Sequence, residues 1–76
     1  PATRLMIEGH TDNTGSVDKN QVLSENRARA IKDAVVARGI PAGRLETIGY
    51  GAAKPIADNH TPDGRTMNRR VTVRKL

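Results

Sequence analysis

The sequence contains no cysteine, phenylalanine or tryptophan, and Tyr50 is the single tyrosine among its 76 residues. The lack of cysteine excludes disulfide bonds and thiolate metal sites. The lack of aromatic side chains leaves a core of Leu, Ile, Val, Met and Ala, and it argues against the stacking surfaces that bind single-stranded nucleic acid. No apolar run approaches the roughly 20 residues that a membrane-spanning helix needs.

The charge is unbalanced, with a formal net charge of +5. A basic balance favours polyanionic partners, such as nucleic acid, anionic lipid or an anionic cell-wall polymer. A solvated basic surface is the simpler interpretation, because four of the 13 positive charges are scattered along one predicted helix, at Arg27, Arg29, Lys32 and Arg38. A small basic nucleic-acid-binding module therefore stands as the alternative to the function derived below.

The chain is also short. Ordering its residues costs on the order of 100 kcal/mol, which a small aliphatic core offsets only narrowly. The sequence opens at Pro1 without an initiator methionine. We therefore expect residues 1–76 to form part of one domain of a larger protein.

Hydrophobic periodicity predicts one helix, over residues 20–38, and three strands, over residues 4–8, 44–50 and 70–75. Val71 and Val73 of the last strand are expected to point inward. A single helical turn is predicted at residues 64–69, after a loop rich in Pro, Asn and Asp. The order strand, helix, strand, loop, strand predicts an α+β fold with a helix packed on a small sheet.

The predicted helix carries one charged residue, Arg27, on the side that looks apolar. That side consists of Leu23, Ala30, Ile31, Ala34 and Val35. Candidate N-caps are Asp18, Asn20 and Ser24, and Gly39, Ile40 and Pro41 form a C-terminal stop signal.

Asp12 and Arg27 are the leading candidate site residues. Asp12 lies in a glycine-flanked turn where the first strand ends, a usual position for functional residues. Arg27 lies among apolar neighbours, where an unpaired charge is costly. The two side chains can form a salt bridge, or they can be held apart to bind a ligand that carries both charges.

Two catalytic interpretations have weaker support. His10, Asp12 and His60 are zinc-compatible residue types, but their spacing matches no standard zinc site. Ser24 with His10 and Asp12 could form a nucleophile system, although nothing around Ser24 resembles a nucleophile elbow. A serine early in a helix more often bonds locally, so we expect neither an enzyme nor a resident metal or cofactor.

Several segments together resemble the OmpA-like (OmpA/MotB C-terminal) peptidoglycan-binding domain. The resemblance spans essentially the whole chain. Its motifs are Ile7-Glu8-Gly9-His10-Thr11-Asp12-Asn13-Thr14-Gly15, Asn20, Leu23-Ser24, Arg27-Ala28, Gly49-Tyr50-Gly51, Pro55, Asn59, Thr61, Gly64-Arg65 and Asn68-Arg69-Arg70-Val71. The resemblance implies a two-layer α+β sandwich with a mixed sheet, lacking the family's first strand and first helix.

The resemblance also implies non-covalent binding of the peptidoglycan peptide stem at its diaminopimelate residue. Asp12 matches the carboxylate that holds the ligand's ammonium, and Arg27 matches the guanidinium that holds its carboxylate. Further matches to ligand-contacting positions are Asn20, Arg69, Thr14 and Leu23. The implied location is the periplasm, attached to the outer membrane through the remainder of the parent protein, and no nucleic-acid partner is implied.

Overall fold

The computed structural model describes residues 3–76 and contains three strands and two helices in that range. Each strand lies within one residue of its predicted bounds, and both helices begin earlier than predicted. In chain order the elements are β1 (Leu5–Gly9), α1 (Val17–Ala37), β2 (Leu45–Gly49), α2 (Pro62–Asn68) and β3 (Val71–Lys75). A short 3-10 turn over Ala42–Arg44 precedes β2.

The sheet has the order β2-β1-β3, with β1 at its centre. Strand β1 runs parallel to β2, with Leu5 opposite Leu45 and Gly9 opposite Gly49. It runs antiparallel to β3, with Gly9 opposite Val71. The sheet is therefore mixed, which confirms the predicted α+β class. The register brings the exits of β1 and β2 and the entry of β3 to one edge of the sheet.

Helix α1 has well-defined ends. Its N-cap is Ser16, whose hydroxyl accepts a hydrogen bond from the Lys19 N–H, so the predicted caps Asp18, Asn20 and Ser24 are wrong. The C-terminal stop signal is confirmed. Gly39 has a φ of 105°, and the N–H groups of Gly39 and Ile40 donate to the carbonyl oxygens of Val36 and Val35.

The helix approaches the sheet closely because two strand residues are glycines. A Cβ atom on Gly9 would overlap the carbonyl oxygen of Ser24, and one on Gly49 would lie 2.5 Å from the Ser24 hydroxyl. The contact is thus made by the helix backbone and small side chains. Ser24 and Ala28 are buried without measurable exposure.

This close packing corrects the predicted apolar face of α1. The buried residues of α1 are Asn20, Ser24 and Ala28, whereas Leu23 and Ile31 remain exposed. Hydrophobic periodicity predicted the wrong face because the strand glycines let the helix approach the sheet closely. At that distance only small helical residues fit between the helix and the sheet. Of the predicted set, Val35 packs against the core, which consists of Ile7, Ala28 and Leu45.

Helix α1 contacts mainly β1 and β2, so it does not cover strand β3. Val71 packs against the core, but Val73 is 54% exposed. The prediction that both valines point into the core is therefore wrong for Val73, since within residues 3–76 no helix covers this edge strand.

Helix α2 is longer than the single predicted turn. It starts at Pro62 behind an N-cap, Thr61, whose hydroxyl accepts from the Gly64 N–H. At its end, the buried Asn68 side chain accepts hydrogen bonds from the N–H groups of Ile56 and Ala57. This amide fixes the long loop before α2. No helix in the described part of the chain is long and apolar enough to cross a membrane.

Candidate functional site

Asp12 lies three residues beyond the end of β1, at the edge where the three strands meet, and it is 5% exposed. Its Oδ2 atom lies 2.6 Å from Nη1 of Arg69, the first residue after α2. Its Oδ1 atom accepts a hydrogen bond from the Thr14 N–H at 2.9 Å. The structure therefore brings together three of the predicted site residues, although Arg69 is 57 positions away in sequence.

These contacts stabilise the charged form of Asp12. The hydrogen bond from the Thr14 backbone N–H lowers the pKa of Asp12, and the Arg69 guanidinium lowers it further. Burial acts in the opposite direction but does not outweigh them. Asp12 is therefore an anion at neutral pH, with a partly exposed cation beside it.

Arg27 is not the partner of Asp12. The half-buried Arg27 side chain donates from Nη1 to the backbone oxygen of His10 at 3.3 Å. Among residues 3–76 its guanidinium takes part in no ion pair. The salt bridge considered from the sequence is absent in the described structure because Arg69 occupies that role. Arg27 still reaches the tip of β1, two residues before Asp12.

Asn20 fixes the loop that carries Asp12. The Asn20 side chain is buried, and its Nδ2 atom donates to the backbone oxygens of Asp12 at 3.3 Å and Thr14 at 3.1 Å. These two bonds use both hydrogens of the amide group. Through these two hydrogen bonds Asn20 holds the conformation of the loop.

Leu23 lies one helical turn before Arg27 and is 42% exposed. It lines a shallow surface groove of about 400 Å³ on the first half of α1, together with Val22 and Asn26. Thr14 is exposed on the loop, and its contact with Asp12 comes from the backbone. Of the six predicted site residues, Asp12, Thr14, Asn20 and Arg69 are joined by hydrogen bonds.

Sequence reasoning missed the environment of His10. Its ring is 3% exposed and stacks on Tyr50, with ring centroids 5.4 Å apart, while Lys54 Nζ lies 4.1 Å from the Tyr50 centroid. Its Nε2 atom lies 3.3 Å from the Thr72 hydroxyl. Burial lowers the pKa of His10, and the charges of Arg70 and Lys54 lower it further. No local signal reveals this environment, because His10, the turn that carries Tyr50 and Lys54, and Thr72 belong to three separate segments.

Ser24 is positioned for structure. Its hydroxyl donates to the Gln21 carbonyl oxygen and accepts from the Gly51 N–H, both at 2.9 Å. With no measurable exposure, Ser24 offers no access to a substrate, which removes it as a candidate nucleophile. In the part of the chain that the structure describes, no group of three or more His, Cys, Asp or Glu residues could hold a metal ion.

Known sequences similar to the chain include an outer membrane porin and a peptidoglycan-binding protein. The model of the OmpA family matches residues 1–69. The chain is 49% identical over 72 residues to outer membrane porin F of Pseudomonas aeruginosa, which covers 93% of the chain and 21% of the porin. It is 48% identical over 73 residues to the peptidoglycan-binding protein ArfA of Mycobacterium tuberculosis, covering 96% of the chain and 22% of ArfA.

Solved structures show the same fold. The peptidoglycan-associated lipoprotein of Burkholderia pseudomallei superposes with a TM-score of 0.94 at 28% identity, over 97% of the chain and 63% of the lipoprotein chain. The C-terminal domain of Helicobacter pylori MotB gives 0.91 at 27% identity, over 97% of the chain and 57% of the MotB chain. The chain spans about a fifth of the length of the curated relatives described above.

Proposed function

The chain belongs to the OmpA family, and from that membership and the geometry of the sheet edge we propose that it binds peptidoglycan non-covalently. Relatives named for this activity support the proposal, among them the peptidoglycan-binding protein ArfA and the peptidoglycan-associated lipoprotein. Both align with almost the whole chain, and we assign the proposed activity to the segment that they share with it.

The proposed ligand is the diaminopimelate residue of the peptide stem. Its side chain ends in a zwitterion, so a receptor needs an anion and a cation at neighbouring positions. The observation that carries this proposal is that Arg27 contacts the backbone of His10, two residues before Asp12, and forms no ion pair with Asp12. Asp12 can accept from the ligand's ammonium, and Arg27 can hold its carboxylate with a planar fork.

The remaining candidate residues have supporting roles in the proposal. Arg69 lies against Asp12 and supplies a second cation for an anionic ligand group. Asn20 and the Thr14 N–H hold the carboxylate loop in place, and Leu23 presents apolar surface beside Arg27. Each charge-assisted bond contributes about 1.5–3 kcal/mol, which gives a moderate affinity at one site.

Moderate affinity suits an anchor to a polymer. Many copies bind one meshwork, so the assembly holds through avidity even when single sites exchange. We propose that the chain anchors an envelope protein to the cell wall from the periplasm, with outer-membrane attachment supplied by the rest of that protein. The proposal assigns no catalytic step and requires no cofactor.

Co-sedimentation with insoluble peptidoglycan tests the proposal. Arg27→Ala and Asp12→Asn are each expected to reduce the association constant, obtained from bound fractions over a range of peptidoglycan concentrations, at least tenfold, in line with the loss of one charge-assisted bond. Arg29→Ala is the matched control, because Arg29 is an exposed arginine on the same helix. If both site variants sediment like the wild type, the assigned roles of Asp12 and Arg27 are wrong.

The stem residue provides a second test. Replacing diaminopimelate by lysine removes the carboxylate assigned to Arg27. We expect the wild type to bind the lysine stem more weakly than the diaminopimelate stem. The wild type and Arg27→Ala should bind the lysine stem equally. Equal wild-type affinity for the two stems would contradict the role of Arg27.

A parallel titration with DNA tests the nucleic-acid alternative, which predicts tight binding with a steep salt dependence.

A further inference from the structure

A second recess opens on the other side of the loop that carries Asp12. It is a cavity of about 390 Å³ between that loop, the first turns of α1 and the turn that follows β2. Its lining includes Val17, Gln21 and Ala53 but neither Asp12 nor Arg27. The volume falls within the range of small-molecule sites, and the cavity shares only Asn20 with the site described above.

Two side-chain amides at this cavity present unused oxygen atoms. Asn20 donates from Nδ2 to two backbone oxygens, and its Oδ1 accepts from no residue within 3–76. Gln21 donates from Nε2 to the Gly49 oxygen and to Glu25, and its Oε1 likewise has no donor among the described residues. Asn20 is 8% exposed as a residue, yet its free acceptor keeps some solvent access, so a ligand can reach it.

The Gln21 oxygen lies directly beside the cavity turn. A Cβ atom added at Gly51 would lie 3.4 Å from this oxygen, and the φ of 56° at Gly51 disfavours any other residue there. The bare backbone at Gly51 therefore keeps the oxygen accessible. Small apolar residues, Val17, Ala52 and Ala53, form part of the remaining wall, and Asn13, Gly15 and Tyr50 form the rest.

These features select a ligand class. Two neutral acceptors bind N–H or O–H donors without demanding a charge, and the alanine and valine walls suit a group about the size of a methyl. We propose that the cavity binds a secondary amide that carries a methyl group. This inference rests on the proposed function, because peptidoglycan supplies such groups beside the diaminopimelate residue.

The same chemistry has two sources in that polymer. The acetamido group of an amino sugar has an N–H and a methyl, and so does an alanyl residue of the peptide stem. Either source places a second contact on the ligand that is independent of the diaminopimelate zwitterion. The cavity would then raise the affinity for intact wall fragments above that for free diaminopimelate.

Filling the cavity tests the inference in the purified protein. Ala53→Leu adds an isopropyl group to the methyl of an exposed wall residue, and Ala34→Leu adds the same group on the exposed side of α1 as the control. We expect Ala53→Leu to weaken binding of a soluble muropeptide about tenfold, measured by calorimetry, and to leave binding of free diaminopimelate unchanged. The control should match the wild type for both ligands.

The possible outcomes separate the two proposals. If the wild type binds neither sacculi nor diaminopimelate, the proposed function fails. If it binds both but Ala53→Leu binds the muropeptide like the wild type, the cavity inference alone is overturned.

Amide chemical shifts identify the source of the bound group. Shifts at Gly51 and Ala53 caused by N-acetylglucosamine alone indicate the sugar, and shifts caused by an N-acetylalanine amide indicate the peptide. Shifts with neither probe, together with unaltered muropeptide binding in Ala53→Leu, contradict the inference.

Discussion

Arg69 forms an ion pair with Asp12 at 2.6 Å, whereas Arg27 donates to a backbone oxygen. The Asp12 carboxylate therefore already has a cationic partner within the chain. A ligand ammonium must share this carboxylate with Arg69 or displace it. The Arg69 side chain is far more exposed than that of Asp12. Arg69 can therefore move aside at a lower cost than Asp12 can.

Removing Arg69 tests the strength of this pair. In Arg69→Gln the buried carboxylate keeps the Thr14 N–H but loses its cation. We expect the free energy of unfolding at pH 7 to fall by about 1–2 kcal/mol, a moderate value since Arg69 is partly exposed to solvent. Urea denaturation measures this change. Arg29→Gln, on the exposed side of α1, should alter the unfolding free energy by less than about 0.5 kcal/mol.

The same variant should show a pH dependence with a defined sign. The pKa of Asp12 in the folded state is lowered from 3.8. The pair therefore stabilises the fold fully above that value, and this contribution is lost as pH falls through the lowered folded pKa. The stability difference between wild type and Arg69→Gln should shrink below about pH 4. A constant difference down to pH 2 would contradict this assignment.

Gly9 is expected to tolerate no side chain. In Gly9→Ala the new Cβ overlaps the Ser24 backbone, so α1 must move away from the sheet. We expect a loss of about 3 kcal/mol or more in unfolding free energy. Gly43→Ala is the control, because a Cβ there meets nothing within 4 Å. Thermal denaturation followed by circular dichroism compares them, and equal melting temperatures would contradict the close packing.

His10 should make stability sensitive to mild acid. Its pKa is lowered from 6.5 by burial and by the nearby Arg70 and Lys54, against the opposing charge of Glu8. The unfolded chain thus takes up a proton before the folded one does. The free energy of unfolding should fall as pH decreases from about 7 towards the lowered folded pKa of His10. Below that pKa, His10 should cause no further change.

Two variants isolate the contribution of His10. In His10→Gln the slope of unfolding free energy against pH just below about 6.5 should largely vanish, although the variant loses the stack on Tyr50. His60→Gln changes an exposed histidine and should keep the wild-type slope. If His10→Gln retains that slope, another group is responsible.

Ser24 should matter for folding. Ser24→Ala deprives the buried Gly51 N–H of its acceptor. We expect a cost of about 1–3 kcal/mol in unfolding free energy, measured by urea denaturation, with peptidoglycan binding retained below the denaturation range. Asn26→Ala, at an exposed position on the same helix, serves as the control. Loss of binding without loss of stability would instead give Ser24 a direct role in recognition.

Local patterns located most elements of this fold. Alternating or continuous apolar residues gave all three strands, and Gly39 with Ile40 marked the end of α1. The start of α1 was missed because several consecutive polar residues can each cap a helix, and only the surrounding backbone selects Ser16.

The sequence alone determined the identity of the family and the charged residues that are candidates for the binding site, because both depend on residue types in a fixed order. Tertiary structure decided which face of α1 is buried and which cation pairs with Asp12. Periodicity cannot report that Gly9 and Gly49 admit only small helical residues. Nor can it report that the antiparallel entry of β3 brings Arg69 to the tip of β1. Both outcomes depend on contacts between segments distant in sequence.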